Sequence, residues 1–293
     1  RITELGIVQS QHLGKKYKPS NFQEILHRYL DEVTILKRSA INEAIVIRAL
    51  LQFDWVNKPL EQLSMQDLTA FRDKRLQTVK PATLKRQLNI LKHACAIAWN
   101  EWNWETPLNL LKRLTLPKNP AHLVKRITPE QEANLYKELG KSRNSLMLPL
   151  VKLAIVTGMR RGEILSLRND DIDLTSMLIY VRQSKNGKPR SIPLTKASAS
   201  ILESLLENDT SYIFPISGNA VRIAFTNARN RAGLKHIRFH DLRHEAISRL
   251  TEKGLTAQEI ALLSGHQQIQ TLLEYTHGCM TRIRKAINKK SAG

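Results

Sequence analysis

Five short stretches in the second half of the sequence collect side chains suited to phosphoryl chemistry. They are Thr157-Gly158-Met159-Arg160-Arg161-Gly162-Glu163, Lys185 beside Asn186-Gly187, His240-Asp241-Leu242-Arg243-His244, Gly265-His266, and Tyr275-Thr276-His277. A phosphodiester repels nucleophiles through its own charge, so a site that breaks one must offer fixed positive groups to the non-bridging oxygens, whose charge rises in the transition state. Arginine suits this task, being planar, forked and permanently charged. A phenol can attack and can also leave again. With an unperturbed pKa near 10, only about one tyrosine in a thousand is ionised at neutral pH, so it needs cations and a base beside it. A departing alkoxide needs a proton, which a lysine at a hairpin tip can supply. Taken singly, each stretch is weak: an isolated tyrosine is more often a packing residue, a lone histidine is usually structural, and lysines such as Lys185 and Lys188 are commonplace at exposed tips.

Spacing adds to residue type. His240 and Arg243 are three residues apart, which on a helix puts them on one face toward the same target. Glu163 lies three after Arg160, placed to hold an arginine rather than to react. Gly265 reads as a helix end that presents His266. His244 and His277 read as packing or supporting residues.

The elements that must position these residues fall into two groups. From about residue 20 to 112 apolar positions recur at helical intervals, as in Phe22, Ile25, Leu26, Tyr29 and Leu30. Ser20 with Gln23 reads as a capping box before the first helix. A second helix is predicted from Ser39 to Val56, a third from Ser64 to Leu76, and a fourth opens at Pro81 with Leu84, Leu88, Leu91, Cys95 and Ala98 on its apolar face. The polar faces carry Lys74, Arg75, Lys80, Lys85, Arg86 and Lys92. Periodicity stops between Leu114 and Ile127, where Pro117, Pro120 and basic residues suggest a linker. Thr128, Pro129 and Gln131 then make a strong helix start. A helix from Ser145 to Thr157 ends at Gly158, and another start runs through Glu163 to Leu167. Met177 to Arg182, Asn186-Gly187 and Arg190 to Leu194 predict a β-hairpin with a type I′ turn. Helices resume from Thr195, one of them capped by Thr256 and Glu259. The predicted fold is mainly α with a small β-sheet.

Bulk properties narrow the partners. The 293 residues favour two domains. Lys and Arg number 46 against 26 Asp and Glu, a net charge of +20 spread beyond any single tail, and nucleic acid is the commonest partner for such a charge. The most apolar run, Leu146 to Met159, is interrupted by Pro149 and Lys152, which argues against a membrane span. Two cysteines, Cys95 and Cys279, provide neither a disulfide framework nor a metal site, so a reducing cytoplasm is expected. The sequence starts at Arg1 without methionine, as expected of a processed or trimmed chain.

In joint order and spacing, with Tyr275 nine residues after His266 and Arg243 some two dozen before it, the five stretches resemble the catalytic set of the tyrosine recombinase, or phage integrase, family. The resemblance spans nearly the whole chain. It implies an N-terminal arm or remnant at 1–19, a helical core-binding domain at 20–113, a linker at 114–127, and a mixed α/β catalytic domain with its C-terminal tail at 128–293. The segment from Phe71 to Trp99 is similar to that of phage integrases and shufflon-type invertases. Many integrases carry a further arm-binding domain in front, so its absence here suggests a simpler enzyme or a trimmed one.

The resemblance also implies roles. Tyr275 becomes the nucleophile that forms a 3′-phosphotyrosine, and Arg160 and Arg243 the phosphate clamp, the family pattern favouring Arg160 over Arg161. His240 becomes a phosphate contact and acid–base participant, His266 a second phosphate donor, Lys185 the general acid for the leaving 5′ oxygen, and Glu163 a support. No cofactor and no metal are expected, since bond energy is conserved. The partner is double-stranded DNA, held by both domains as a clamp. The basic tail, with Arg282, Arg284, Lys285, Lys289 and Lys290, would dock on a neighbouring protomer in a homotetramer. The setting would be the cytoplasm, at the nucleoid. Two other readings stay open: a type IB topoisomerase-like enzyme that reseals the same strand, and a non-cutting DNA-binding regulator.

Overall fold

The structure is a computed structural model and describes residues 16–117, 125–182, 189–206, 211–272 and 275. The chain divides into two compact units, Arg1–Ala121 and His122–Gly293, each with its own core.

Five α-helices build the first unit among the described residues: α1 (Phe22–Glu32), α2 (Ala40–Leu50), α3 (Met65–Leu76), α4 (Pro81–Asn100) and α5 (Leu108–Arg113). Their apolar stripes meet in one core, in which Phe22, Ile25, Leu26, Leu84, Leu88, Leu91, Cys95 and Ala98 are buried. Two boundaries differ from the sequence reading. The cap of α1 is Asn21, one residue later than expected: its side chain accepts from the Glu24 N–H at 3.1 Å, and the Glu24 carboxylate reaches back to the Ser20 N–H at 2.9 Å. The helix expected from Ser39 to Val56 stops at Leu50 and is followed by a separate 3₁₀ turn over Asp54–Val56. Phe53 takes extended backbone there (φ −93°, ψ 134°), and the buried Trp55 packs edge-on against Phe22 with ring centroids 5.3 Å apart. Of the basic residues, Lys74, Lys80, Lys85 and Arg86 are exposed. Arg75 is engaged with Gln87 and Thr78 and ties α3 to α4.

The second unit opens as its sequence predicts, with Thr128 and Gln131 capping each other's N–H groups at the start of α6 (Pro129–Gly140). Next come α7 (Met147–Thr157), α8 (Arg161–Leu165), α9 (Lys196–Leu206), α10 (Gly218–Arg231), α11 (Phe239–Glu252) and α12 (Ala257–Ser264). The apolar α7 is buried on most sides, packing against α6, α9, α10 and α11. Pro149 falls in its first turn, where a missing N–H costs nothing.

An antiparallel sheet completes the unit, in the order β1 (Ile172–Asp173), β2 (Leu178–Val181), β3 (Arg190–Pro193). Val181 pairs with Arg190 and Tyr180 with Ser191. The hairpin strands are therefore those expected, whereas β1, two residues long, is too short to show alternation. The expected turn, including Lys185, Asn186-Gly187 and Lys188, lies outside the described residues. Among the described residues no helix is long and apolar enough to cross a membrane. The fold is mainly helical with a small sheet, as the sequence predicts.

Candidate active site

Two glycines shape the centre of the second unit. Gly158 ends α7 in the left-handed conformation (φ +66°), and a Cβ there would approach Ala246 Cβ on α11 to 3.3 Å. The close helix approach thus depends on its missing side chain. Gly265 ends α12 in the same way (φ +70°).

The C-terminus of a helix leaves its last carbonyls unpaired and carries the negative end of the helix dipole. At α12 three consecutive carbonyls each receive one guanidinium. Arg190 Nε donates to the Leu263 carbonyl at 2.8 Å, Arg243 Nη2 to Ser264 at 2.6 Å, and Arg160 Nη2 to Gly265 at 3.2 Å. Arg243 Nη1 also donates to the Gly158 carbonyl at 2.8 Å, so one buried arginine joins both helix ends. The two arginines singled out from the sequence therefore meet at one spot despite being 83 residues apart.

Glu163 holds the cluster together. Its Oε1 accepts from Arg160 Nη1 at 2.8 Å and its Oε2 from the Arg160 backbone N–H at 2.9 Å, capping α8. Arg190 adds a fork, with Nη1 to Oε1 at 3.1 Å and Nη2 to Oε2 at 2.7 Å. Burial pushes this carboxyl up, but the Arg190 fork, the Arg160 N–H and the nearby charges outweigh it and hold it below the ordinary value. Among the described residues, Arg160 and Arg190 bond this carboxylate and Arg243 feels it only through space, so three arginines face one carboxylate. The strain of that imbalance falls on Arg243: burial first, then Arg160 and Arg190, lower its pKa to about 10, so it is still charged at neutral pH.

His266, one residue past Gly265, sits in the same field. Its Nδ1 lies 2.6 Å from Ser264 Oγ and 3.4 Å from Arg243 Nη2. Burial, followed by Arg243 and Arg160, lowers its pKa to about 4, so the ring is neutral at physiological pH. His240 is exposed and lines a shallow recess with Arg243, Arg161, Met159 and Phe239.

Tyr275 is buried against Ile247, Ile260 and Leu272, and its hydroxyl is engaged by His244 Nδ1. The two rings stack with centroids 5.7 Å apart, and His244 meets His240 edge-on at 5.0 Å. Tyr275 is also among the groups that favour the charged form of Arg243, which puts the phenol within electrostatic reach of the cations. His244, expected to pack or to support, meets the tyrosine itself: α11 turns Arg243 toward the cation cluster and, one residue on, His244 toward the tyrosine. The residue missed is Arg190, since an arginine at the start of a strand has no mark that separates it from a surface charge. Lys185, His277 and the basic tail from Arg282 to Lys290 lie outside the described residues.

The phage integrase family model matches residues 125–282, and the chain belongs to that family. It is similar to the shufflon-specific DNA recombinase of Escherichia coli, 29% identical over 273 residues that make up 89% of this chain and 70% of that protein. It is also similar to tyrosine recombinase XerA of Thermococcus kodakarensis, 31% identical over 190 residues, 61% of this chain and 67% of that one. Among solved structures, a lambda integrase(75-356) dimer bound to a COC′ core site superposes with a TM-score of 0.71 at 24% identity, covering 86% of this chain and 97% of that one. The Tn1549 transposon integrase in complex with transposon right end DNA gives 0.72 at 15% identity, covering 93% and 100%. At these identities the structural likeness is one of fold.

Proposed function

We propose that this chain is a site-specific DNA recombinase that cleaves and rejoins strands through a 3′-phosphotyrosine on Tyr275. The observation that carries this reading is the excess of fixed positive charge at the end of α12, where Arg160 and Arg190 bond Glu163 and Arg243 lies beside them on the Ser264 carbonyl. Such a cluster is completed by an anion, and a scissile phosphate fits it. Arg160 and Arg243 hold the non-bridging oxygens, with His240 and His266 as further contacts. Tyr275 attacks phosphorus while His244 takes the phenolic proton. Lys185 protonates the leaving 5′ oxygen. Rejoining is the reverse: a 5′-hydroxyl from the partner strand attacks the phosphotyrosine, the phenol departs and regains its proton. The phosphodiester bond is conserved at each step, so no external energy source enters.

Residues 20–113 act as the core-binding domain and 128–293 as the catalytic domain, joined by 114–127. Both contact duplex DNA, mainly through phosphates, with Lys74, Arg75, Lys80, Lys85, Arg86 and Lys92 contributing from the helical domain. Binding therefore weakens steeply as salt is raised. The working assembly is a homotetramer on two duplexes, with the tail on a neighbouring protomer, at the nucleoid. The name of the E. coli relative, a shufflon-specific recombinase, supports exchange between sites as the outcome.

The test starts by selecting a bound site from random-sequence duplexes. A nicked version of that site then traps any covalent intermediate on a denaturing gel. Wild type should give an adduct, whereas Tyr275→Phe should bind as well and give none. Clean binding with no adduct from wild type would favour a regulator. Adduct with relaxation by a monomer and no exchange between sites would favour a topoisomerase-like enzyme.

A further inference from the structure

We propose that Arg190 is a positioning residue for the phosphate clamp, fixing Arg160 and the Gly265-His266 turn in register for a single phosphate. The inference rests on the phosphoryl-transfer reading above and adds a residue to it.

Three observations carry the inference. Arg190 is not placed to bind substrate itself: its side chain is 9% exposed, against 20% for Arg160, and its Nε, Nη1 and Nη2 all donate within the protein. It contacts the clamp from two directions. Its fork takes one lone pair on each oxygen of Glu163, leaving the others for the Nη1 and backbone N–H of Arg160. Through Nε it grips the Leu263 carbonyl, two residues before Gly265. The turn that carries His266 is also moulded on Arg190. A Cβ at Gly265 would meet Arg190 Nη1 at 3.1 Å and Cζ at 3.2 Å, so the guanidinium packs closely on a left-handed position that suits glycine.

Electrostatics gives the arrangement its purpose. Were Glu163 to face Arg160 alone, its charge would cancel that of the clamp arginine. Sharing the carboxylate with Arg190 leaves Arg160 oriented but only partly neutralised, and adds a third cation behind the site. The added repulsion is visible on Arg243, whose charged form Arg190 disfavours. A tie serving only stability would not place another cation there.

The test uses the full chain, the selected DNA site, and the variants Arg190→Met and Arg190→Lys. Three substrates are compared: the ordinary nicked duplex, one with a neutral methylphosphonate at the scissile position, and one with a 5′-bridging sulfur, whose thiolate departs without a proton. Arg190→Met should bind DNA and melt nearly as wild type does, yet form adduct on the ordinary duplex slower by on the order of a hundredfold. The methylphosphonate should recover most of that loss, because it no longer asks for full charge neutralisation. The bridging sulfur should recover little. Arg190→Lys, which keeps the charge but reaches fewer partners, should fall between and serves as the test if the methionine variant does not fold.

Adduct rates equal to wild type would overturn the proposal, as would equal losses on all three substrates, which mark a merely structural role. Rescue by the bridging sulfur alone would overturn it too, by showing that Arg190 serves the leaving group. If wild type itself forms no adduct on any duplex, the phosphoryl-transfer reading fails instead, and that control is scored first.

Discussion

Two arginine–carboxylate networks lie in the same unit and share helix α11, yet they are built to opposite ends. In one, Arg126 and Arg249 meet Glu132, Glu245 and Glu252, so carboxylates outnumber arginines. Glu245 is buried, accepts from both arginines and from the Ile127 N–H, and thereby fastens the chain entering α6 to α11. In the other, among the described residues, Arg160 and Arg190 bond Glu163 and Arg243 feels it only through space, three arginines to one carboxylate. Hydrogen bonds donated to Glu252 and Glu245 raise the Arg126 pKa, and Arg249 is raised despite its burial, whereas burial, with Arg160 and Arg190 beside it, lowers Arg243 to about 10. Identical residue types thus make a closed structural tie where carboxylates outnumber arginines and an anion-seeking site where arginines outnumber carboxylates.

The sharpest way to break this comparison is to remove one member of each network and read stability and chemistry separately. Arg243→Met should slow adduct formation by about 10²–10³. Its melting temperature should change little, because relief of repulsion from Arg160 and Arg190 offsets the lost bonds to Gly158 and Ser264. Glu245→Gln should do the reverse, lowering stability by about 1–3 kcal/mol while leaving the adduct rate per folded molecule unchanged. The comparison fails if Glu245→Gln slows chemistry as much as Arg243→Met does.

A second, smaller effect extends the contrast from fixed charges to mobile protons. The hydrogen bond between the Tyr275 hydroxyl and His244 Nδ1 offers the phenolic proton a destination beside the cation cluster when that nitrogen is unprotonated. His244→Gln can still accept a hydrogen bond but cannot take the proton, so adduct formation should fall by about a hundredfold. A rate equal to wild type in the variant would return the proton to His240 or to solvent.

How much of this was legible in the sequence depended on whether a signal was local. The Thr128-Pro129-Gln131 start of α6 and the glycine stops of α7 and α12 are written in adjacent residues, and each forms where expected. The α1 cap slipped by one because Ser20 and Asn21 are both competent caps, and only the backbone decides between Gln23 and Glu24 as partner. His240, Arg243 and Glu163 were reached through motifs that resemble the family's catalytic set, and three-residue spacing added His240 beside Arg243 on α11 and Glu163 beside Arg160 at the start of α8. Arg190 was not, because its importance comes from meeting Glu163 and Leu263, residues 27 positions before it and 73 after it, and no local pattern encodes such a meeting. The partner of His244, read as a packing or supporting residue, was hidden for a related reason: a histidine next to a chosen arginine on a helix points elsewhere, and what lies there is Tyr275.

The smallest expected effect lies in the pH dependence of stability, where the two networks occupy different windows. His266 has a folded pKa of about 4 against an ordinary 6.5, so the unfolded chain takes up a proton that the folded protein refuses. Its contribution to stability is therefore complete above pH 6.5 and declines as pH falls toward 4. Glu245 is held below its ordinary 4.5 by Arg126 and Arg249 in spite of burial, so its contribution is complete above that value and is lost only on further acidification. Melting curves of His266→Gln should show a shallower slope between pH 6.5 and 4 and keep the acidic one, while Glu245→Gln should weaken the acidic slope and keep the upper one. Bound duplex should flatten the upper slope in wild type, because a phosphate beside His266 favours the protonated ring. A slope between pH 6.5 and 4 that His266→Gln leaves untouched would remove His266 from the field of the arginines and with it the unbalanced charge on which the comparison rests.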